Sequence, residues 1–235
     1  MNFPRRVIII IPARSGSKRL LNKNVLEIDH KPLFYYSVKA AQEANISPDI
    51  YVLSDSEEIL QLAKEFGAIP FLLPPELAGD TTEVVKPSIY ALEKLKEENL
   101  EFDDFICLQP TSPLRNAEDI KQSYQKYLVA KADSLVSVAE VDPHYFHWAV
   151  QENESQDFGQ LYFGSKFLKS RSELPTIYWP NGAVKIARIE VIKKQGHFFG
   201  ERMAIYKMPS ERSIHIATKF EFNLCKSLIE NASPR

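Results

Sequence analysis

Four cationic side chains crowd into one short stretch: Arg14, Lys18, Arg19 and Lys23, with the hydroxyls of Ser15 and Ser17 and the amide of Asn24 among them. Gly16 lets the backbone come close to a ligand there, and successive N–H groups of such a turn can form a nest for an anion. The combination suits a triphosphate. No lysine followed by Ser or Thr stands at the Walker A distance, and a single glycine is no dinucleotide fingerprint. The competing reading of this segment alone is a solvated basic loop.

A second group is Gln109-Pro110-Thr111-Ser112-Pro113-Leu114-Arg115. Its two prolines stiffen a turn from which Gln109 and Ser112 can hydrogen-bond a polar ligand; otherwise it is a structural turn with Arg115 at the surface. Pro180-Asn181-Gly182-Ala183 reads, by itself, as a hairpin turn. His144 and His147 have no third ligand at zinc spacing, so they are not expected to form a metal centre.

The elements that must position these groups alternate. Val7 to Ile11 is a β-branched run of the kind covered on both faces. Lys31-Pro32 opens a helical pattern through Leu33, Tyr36, Ala40 and Ala44. Ile50 to Leu53 is a strand, Ser54 and Glu57 have capping-box spacing before the next helix, and Gly67 is placed to end that helix. A helix from about Thr82 to Asn99, a strand from Phe105 to Leu108, a helix through Ile120, Tyr124 and Tyr127, and a strand from Ser134 to Val141 follow. This order predicts an α/β fold with a parallel sheet and helices on both faces. Ligands of such sheets sit beyond the carboxyl ends of the strands, so the segments after Ile11, Leu53 and Leu108 should open on one site. Residues 142–179 break the alternation and are rich in aromatics, which points to buried contact, with another subunit as one source. Strands at Ala183–Ala187 and Ala204–Met208 and a helix at Lys219–Ile229 close the chain.

Composition narrows the class. The 235 residues are 44% hydrophobic and carry a formal net charge of −2, enough for a substantial core and without the basic excess of a nucleic-acid binder. One main domain with a small appendage is expected. The two cysteines, Cys107 and Cys225, have no metal or redox spacing and read as reduced thiols in apolar positions. Pro12 and nearby charges end the first apolar run too early for a signal peptide, and no stretch approaches the ~20 apolar residues of a membrane span. A cytoplasmic protein with no membrane partner is the expectation.

Together these segments resemble the acylneuraminate cytidylyltransferases, the CMP-sialic acid synthetases, over nearly the whole chain. The matching pieces are Pro12-Ala13-Arg14 through Lys23-Asn24, Ser54-Asp55, Glu76 to Thr81, Gln109 to Arg115, and Pro180 to Ala183. The resemblance implies a single cytidylyltransferase domain over residues 1–235 with a mostly parallel, Rossmann-like, GT-A-like nucleotidyltransferase sheet. It also implies a homodimer, with 142–179 as a protruding dimerisation insertion. The implied reaction joins CTP to a nine-carbon keto sugar acid, a sialic or related nonulosonic acid, with release of pyrophosphate and with Mg²⁺ as cofactor. Arg14, Ser17, Lys18, Lys23, Asn24 and Asp80 would bind the nucleotide, with Lys23 and Arg14 catalytic and Lys23 nearest the α-phosphate. Gln109, Ser112, Asn181 and Arg171 of the partner subunit would bind the sugar acid.

The chain departs from the family at one place that matters. Where the family carries Ser-Ile-Asp-Ile-Asp-Thr, with both aspartates on magnesium, this sequence reads Ser213-Ile214-His215-Ile216-Ala217-Thr218. Leu73 stands where the family usually has a nucleotide-facing arginine. The resemblance therefore leaves the metal ligands undetermined; Asp55, Asp80, Asp103, Asp104 and Glu221 are the carboxylates to consider, and His215 also reads as an outward residue on a short strand. A nucleotide-binding homologue with impaired catalysis, and a nucleotidyltransferase for a different keto sugar acid, stand as the alternatives.

Overall fold

The computed structural model describes residues 5–16, 20–79, 83–152 and 158–232. β1 (Val7–Pro12) is followed by the short strands β2 (Glu27–Ile28) and β3 (Lys31–Pro32) and then by α1 (Tyr35–Ala44). Next come β4 (Ile50–Ser54), α2 (Glu57–Glu65), β5 (Ile69–Leu72), α3 (Val85–Glu97), β6 (Asp104–Cys107), α4 (Ala117–Val129) and β7 (Ser134–Val141). The rest is α5 (Pro143–His147), β8 (Val150–Glu152), β9 (Gly159–Leu161), β10 (Ile177–Arg188), α6 (Ile189–Gln195), β11 (Met203–Lys207) and α7 (Lys219–Ala232).

One sheet runs β11-β7-β10-β6-β1-β4-β5. β6, β1, β4 and β5 are parallel neighbours, as are β7 and β11, while β10 runs against both β6 and β7. The sheet is thus mostly parallel, as the alternation predicts. Along β1, Val7, Ile9 and Ile11 pack with Val38 of α1, Ile59 of α2 and Ile120 of α4. Ile8 and Ile10 pack on the other face with Leu92 and Leu95 of α3 and Ile192 of α6. A strand with no wet face must be apolar throughout, which is why β1 does not alternate. Each such buried side chain contributes roughly 1.5–3 kcal/mol, so the loop after β1 is mounted on a rigid support.

Several local expectations are corrected. Lys31-Pro32 does not begin a helix: it pairs with Glu27-Ile28 across Asp29 and His30, whose φ values of 47° and 56° close a two-residue hairpin, and α1 starts at Tyr35. The cap of α2 is Ser56, whose Oγ accepts from Ile59 N, whereas Ser54 is buried at the end of β4. Asn181-Gly182 makes no hairpin. β10 continues through it with a register shift between Pro180 and Lys185, and Gly182 takes φ +73°, so the pair forms an irregularity inside one strand. Gly67, at φ +78°, does end α2.

The described part of 142–179 contains α5, the β8–β9 hairpin and two 3₁₀ turns. Phe146 packs on Phe163 (ring centroids 4.8 Å apart) and His147 stacks on Phe167 (4.4 Å), while Tyr145, Trp148, Phe158, Tyr162 and Trp179 are exposed. The segment has a small aromatic core and an apolar exterior. His144 Nδ1 lies 2.9 Å from Asp142 Oδ1.

Candidate functional site

β1, β4 and β6 end side by side, and a cavity of about 300 Å³ opens where they stop. Pro12, Leu53 and Gln109, the residues closing or following those three strands, all line it. That is the crevice a parallel sheet provides, at the small end of the roughly 300–1,000 Å³ range of small-molecule sites.

The loop after β1 is pinned at both ends. Asn24, buried, donates Nδ2 to Arg14 O at 2.8 Å, and Ser15 reaches Asp55 through its N–H (2.8 Å) and its hydroxyl (2.7 Å). Arg14, Gly16, Lys23 and Asn24 thereby share the cavity wall. Arg14 Nη1 also donates to Ala78 O at 3.2 Å, which ties the loop to the segment carrying Leu77 and Gly79. Ser17, Lys18 and Asp80 lie outside the described residues.

The opposite wall is the turn after β6. Gln109 and Thr111 line the cavity; Ser112 does not. It is buried and donates to Asn181 O at 3.1 Å. Asn181 is likewise internal, accepting from Ser137 (2.6 Å) and from Ala183 N (3.1 Å) and donating to Ser213 (2.9 Å). These two residues therefore brace the wall and do not face the cavity. Arg115 is not at the surface: it is 2% exposed and donates to Gln109 O, Ala183 O and Ser37 Oγ. At Gly182 a Cβ would collide with Gln109 Oε1 and come within 3.2 Å of His215 Nδ1, so the glycine is what allows both side chains to approach β10.

His215 is exposed, but it does not lie on a strand. Residues 213–217 are irregular, and the imidazole lines the cavity with Nδ1 3.3 Å from Thr111 Oγ1. Lys23 Nζ donates to Ile216 O at 3.2 Å. Leu73 is buried against Leu53 and Val85 and gives the cavity an apolar patch. Arg171 is exposed, pairs with Asp142 at 3.6 Å and is not part of this chain's cavity wall.

A hard cation such as Mg²⁺ takes oxygen ligands, and the 213–218 donor set does not fit it: an imidazole at 215 and a methyl group at 217. Of the other carboxylates, Asp80 lies outside the described residues, and the remaining four are engaged or placed elsewhere. Asp55 holds Ser15, Glu221 accepts from the N–H and hydroxyl of Thr218, and Asp103 and Asp104 sit at the start of β6, the end away from the cavity. Glu83 lines the cavity, and sequence reasoning missed it; no motif marks it, because only the return of the chain into α3 brings it there.

A family profile described as cytidylyltransferase matches residues 8–227. An N-acylneuraminate cytidylyltransferase from Streptococcus agalactiae serotype V is 32% identical over 220 residues, 92% of this chain and 51% of that protein. The chain thus spans about half the length of that relative. A CMP-N,N'-diacetyllegionaminic acid synthase from Legionella pneumophila is 33% identical over 229 residues, 96% of this chain and 97% of its own length. Among solved structures, a CMP:2-keto-3-deoxy-manno-octonic acid synthetase complexed with CTP superposes with a TM-score of 0.73 at 16% identity, covering 97% of this chain and 100% of that one. That last likeness speaks to the fold.

Proposed function

The chain belongs to the cytidylyltransferase family, and we propose that it transfers the CMP group of CTP to a nine-carbon keto sugar acid. In this reading the anomeric hydroxyl of the sugar acid attacks the α-phosphorus in line. The bond to the bridging oxygen breaks, pyrophosphate leaves, and the hydroxyl proton is lost. Such chemistry asks the protein mainly for positioning and charge stabilisation. The observation that carries the reading is the meeting of Arg14, Lys23 and Asn24 with Gln109 across one cavity.

Arg14, Lys23 and Asn24, with Ser17, Lys18 and Asp80, hold the nucleotide, Lys23 nearest the α-phosphate. Gln109 contacts the sugar acid, while Ser112 and Asn181 act indirectly, by fixing the wall beneath it. The apolar exterior of 142–179 supports a homodimer in which Arg171 of the partner subunit completes the sugar-acid end. No described helix is long and apolar enough to cross a membrane. We place the enzyme in the cytoplasm, with Mg²⁺ as the nucleotide's counter-ion.

Purified protein supplied with CTP, Mg²⁺ and a panel of nine- and eight-carbon keto acids should release pyrophosphate with at least one of them. Release with none would end the catalytic reading. A second reading, nucleotide binding with impaired turnover, is favoured by His215 at the cavity and by Ala217 in place of the family's second aspartate. It requires that His215→Asp with Ala217→Asp raise turnover strongly, and normal turnover by the native protein would exclude it. A preference for eight-carbon acids would instead support a different keto sugar acid as substrate.

A further inference from the structure

The stretch 213–218 brings no carboxylate to the cavity, and three contacts hold it in a different role. Ile216 N donates to Thr111 O at 2.8 Å. Thr111 Oγ1 lies 3.3 Å from His215 Nδ1. Lys23 Nζ donates to Ile216 O at 3.2 Å, which puts an ammonium on the carbonyl between residues 215 and 217. The backbone oxygen that a cation would use there already meets a positive charge, and a second cation beside it would be repelled. Gly182 closes the arrangement from β10, since any side chain there would press on His215 and Gln109. Among the described residues no group of three His, Cys, Asp or Glu side chains is arranged to hold a metal.

We propose that this wall is an anion site that works without a protein-bound metal: Lys23 and His215 receive the nucleotide's phosphates directly, and a divalent cation arrives only as part of the metal–nucleotide complex. The inference rests on the reading of the cavity as a CTP site. Protonated, imidazole offers an anion a donor and a charge; neutral, it offers a donor in the tautomer whose N–H faces the ligand. The same group is a poor partner for Mg²⁺. In this chain the charge of the triphosphate is met from the β1 loop and residue 215, and among the described residues Glu83 is the one carboxylate on the cavity wall, with no second one beside it to seat a metal in the absence of nucleotide.

The test uses the native protein. Mn²⁺ is titrated into ligand-free protein and the free ion is read by electron paramagnetic resonance; no stoichiometric uptake is expected. CTP binding is then measured by calorimetry in Mg²⁺ and in EDTA, and the two dissociation constants should agree within about threefold. Stoichiometric Mn²⁺ uptake without nucleotide, or a loss of CTP affinity in EDTA beyond about threefold, overturns the proposal. Failure of CTP to bind in either buffer overturns the CTP reading itself, an outcome distinct from CTP that binds only with metal. His215→Asp with Ala217→Asp should create Mn²⁺ uptake and make CTP binding metal-dependent. The native measurements decide even if that variant does not fold.

Discussion

Arg115 and Gln109 are joined by a hydrogen bond from guanidinium Nη1 to the backbone carbonyl at 3.3 Å, which ties a fully buried cation to a residue of the cavity wall. The same nitrogen donates to Ala183 O at 3.1 Å, and Nη2 donates to Ser37 Oγ at 2.7 Å. One side chain thus clamps the turn after β6, the β10 irregularity and α1 together. Burial pushes its pKa down to about 10, so it remains charged at neutral pH. A buried charge is expensive to hold, and here the three neutral acceptors and the nearby charge of Asp119 offset that cost.

Arg115→Met removes the donors and leaves buried acceptors unmet. The expected loss is about 2–4 kcal/mol of stability, together with a rise of at least about tenfold in KM for the sugar acid. CTP affinity should fall less than the sugar-acid KM rises, because the β1 loop does not touch this clamp and only His215, seated on Thr111, links it to the nucleotide. Arg115→Lys should recover part of both. Urea unfolding, steady-state kinetics and calorimetry on the two variants check this. A KM unchanged in the folded Met variant would refute the clamp.

Gly182→Ala places a side chain at φ +73° against Gln109 Oε1 and His215 Nδ1. The backbone strain costs about 1–2 kcal/mol, and the displaced Gln109 and His215 should weaken both the sugar-acid step and CTP binding. A thermal melt with KM values for both substrates separates the two effects.

Asp104 tests the opposite end of the sheet. It is fully buried and accepts from Arg5 Nε (2.5 Å), Tyr127 (2.7 Å) and Tyr124 (3.2 Å) at the start of β6. Asp104→Asn should cost about 2 kcal/mol in stability and leave the calorimetric CTP affinity as it was. A large change in that affinity would mean that the two ends of the sheet are coupled.

Alkaline pH should destabilise the fold. Burial raises the Cys107 thiol to about 11 and the Cys225 thiol to about 12, and it raises Tyr127 in the same sense with help from Asp104. The unfolded chain therefore releases these protons first. The stability they contribute is fully present below the unfolded thiol value near 9 and is lost as pH rises through the folded value near 11. The urea midpoint should fall between pH 9 and 10.5, and native protein at pH 8 should show no fast-reacting thiol.

The fold was legible wherever its signal was local. The β-branched run of β1, the polar loop after it and the limits of β7 follow from short stretches, because burial on both faces writes itself into consecutive residues. β10 was not legible as a central antiparallel strand, since its place between β6 and β7 depends on pairing across distant segments. The same limit applies within the site. Arg14, Lys23, Asn24 and Gln109 announce themselves by type and position, whereas Glu83, the buried clamp of Arg115 and the seat of His215 on Thr111 exist only once distant segments meet. Ser112 and Asn181 carry polar groups in the right motifs, yet both are buried and spend those groups on bonds inside the wall.

Cytidylyl transfer leaves its signature in the ³¹P nuclear magnetic resonance spectrum of a reaction mixture. With native protein, CTP, Mg²⁺ and a nine-carbon keto acid, the triphosphate signals should give way to equal amounts of pyrophosphate and a CMP phosphodiester, with UTP, ATP and GTP turned over far more slowly. No phosphodiester with any keto acid of the panel, or equal turnover of all four nucleotides, would contradict the account.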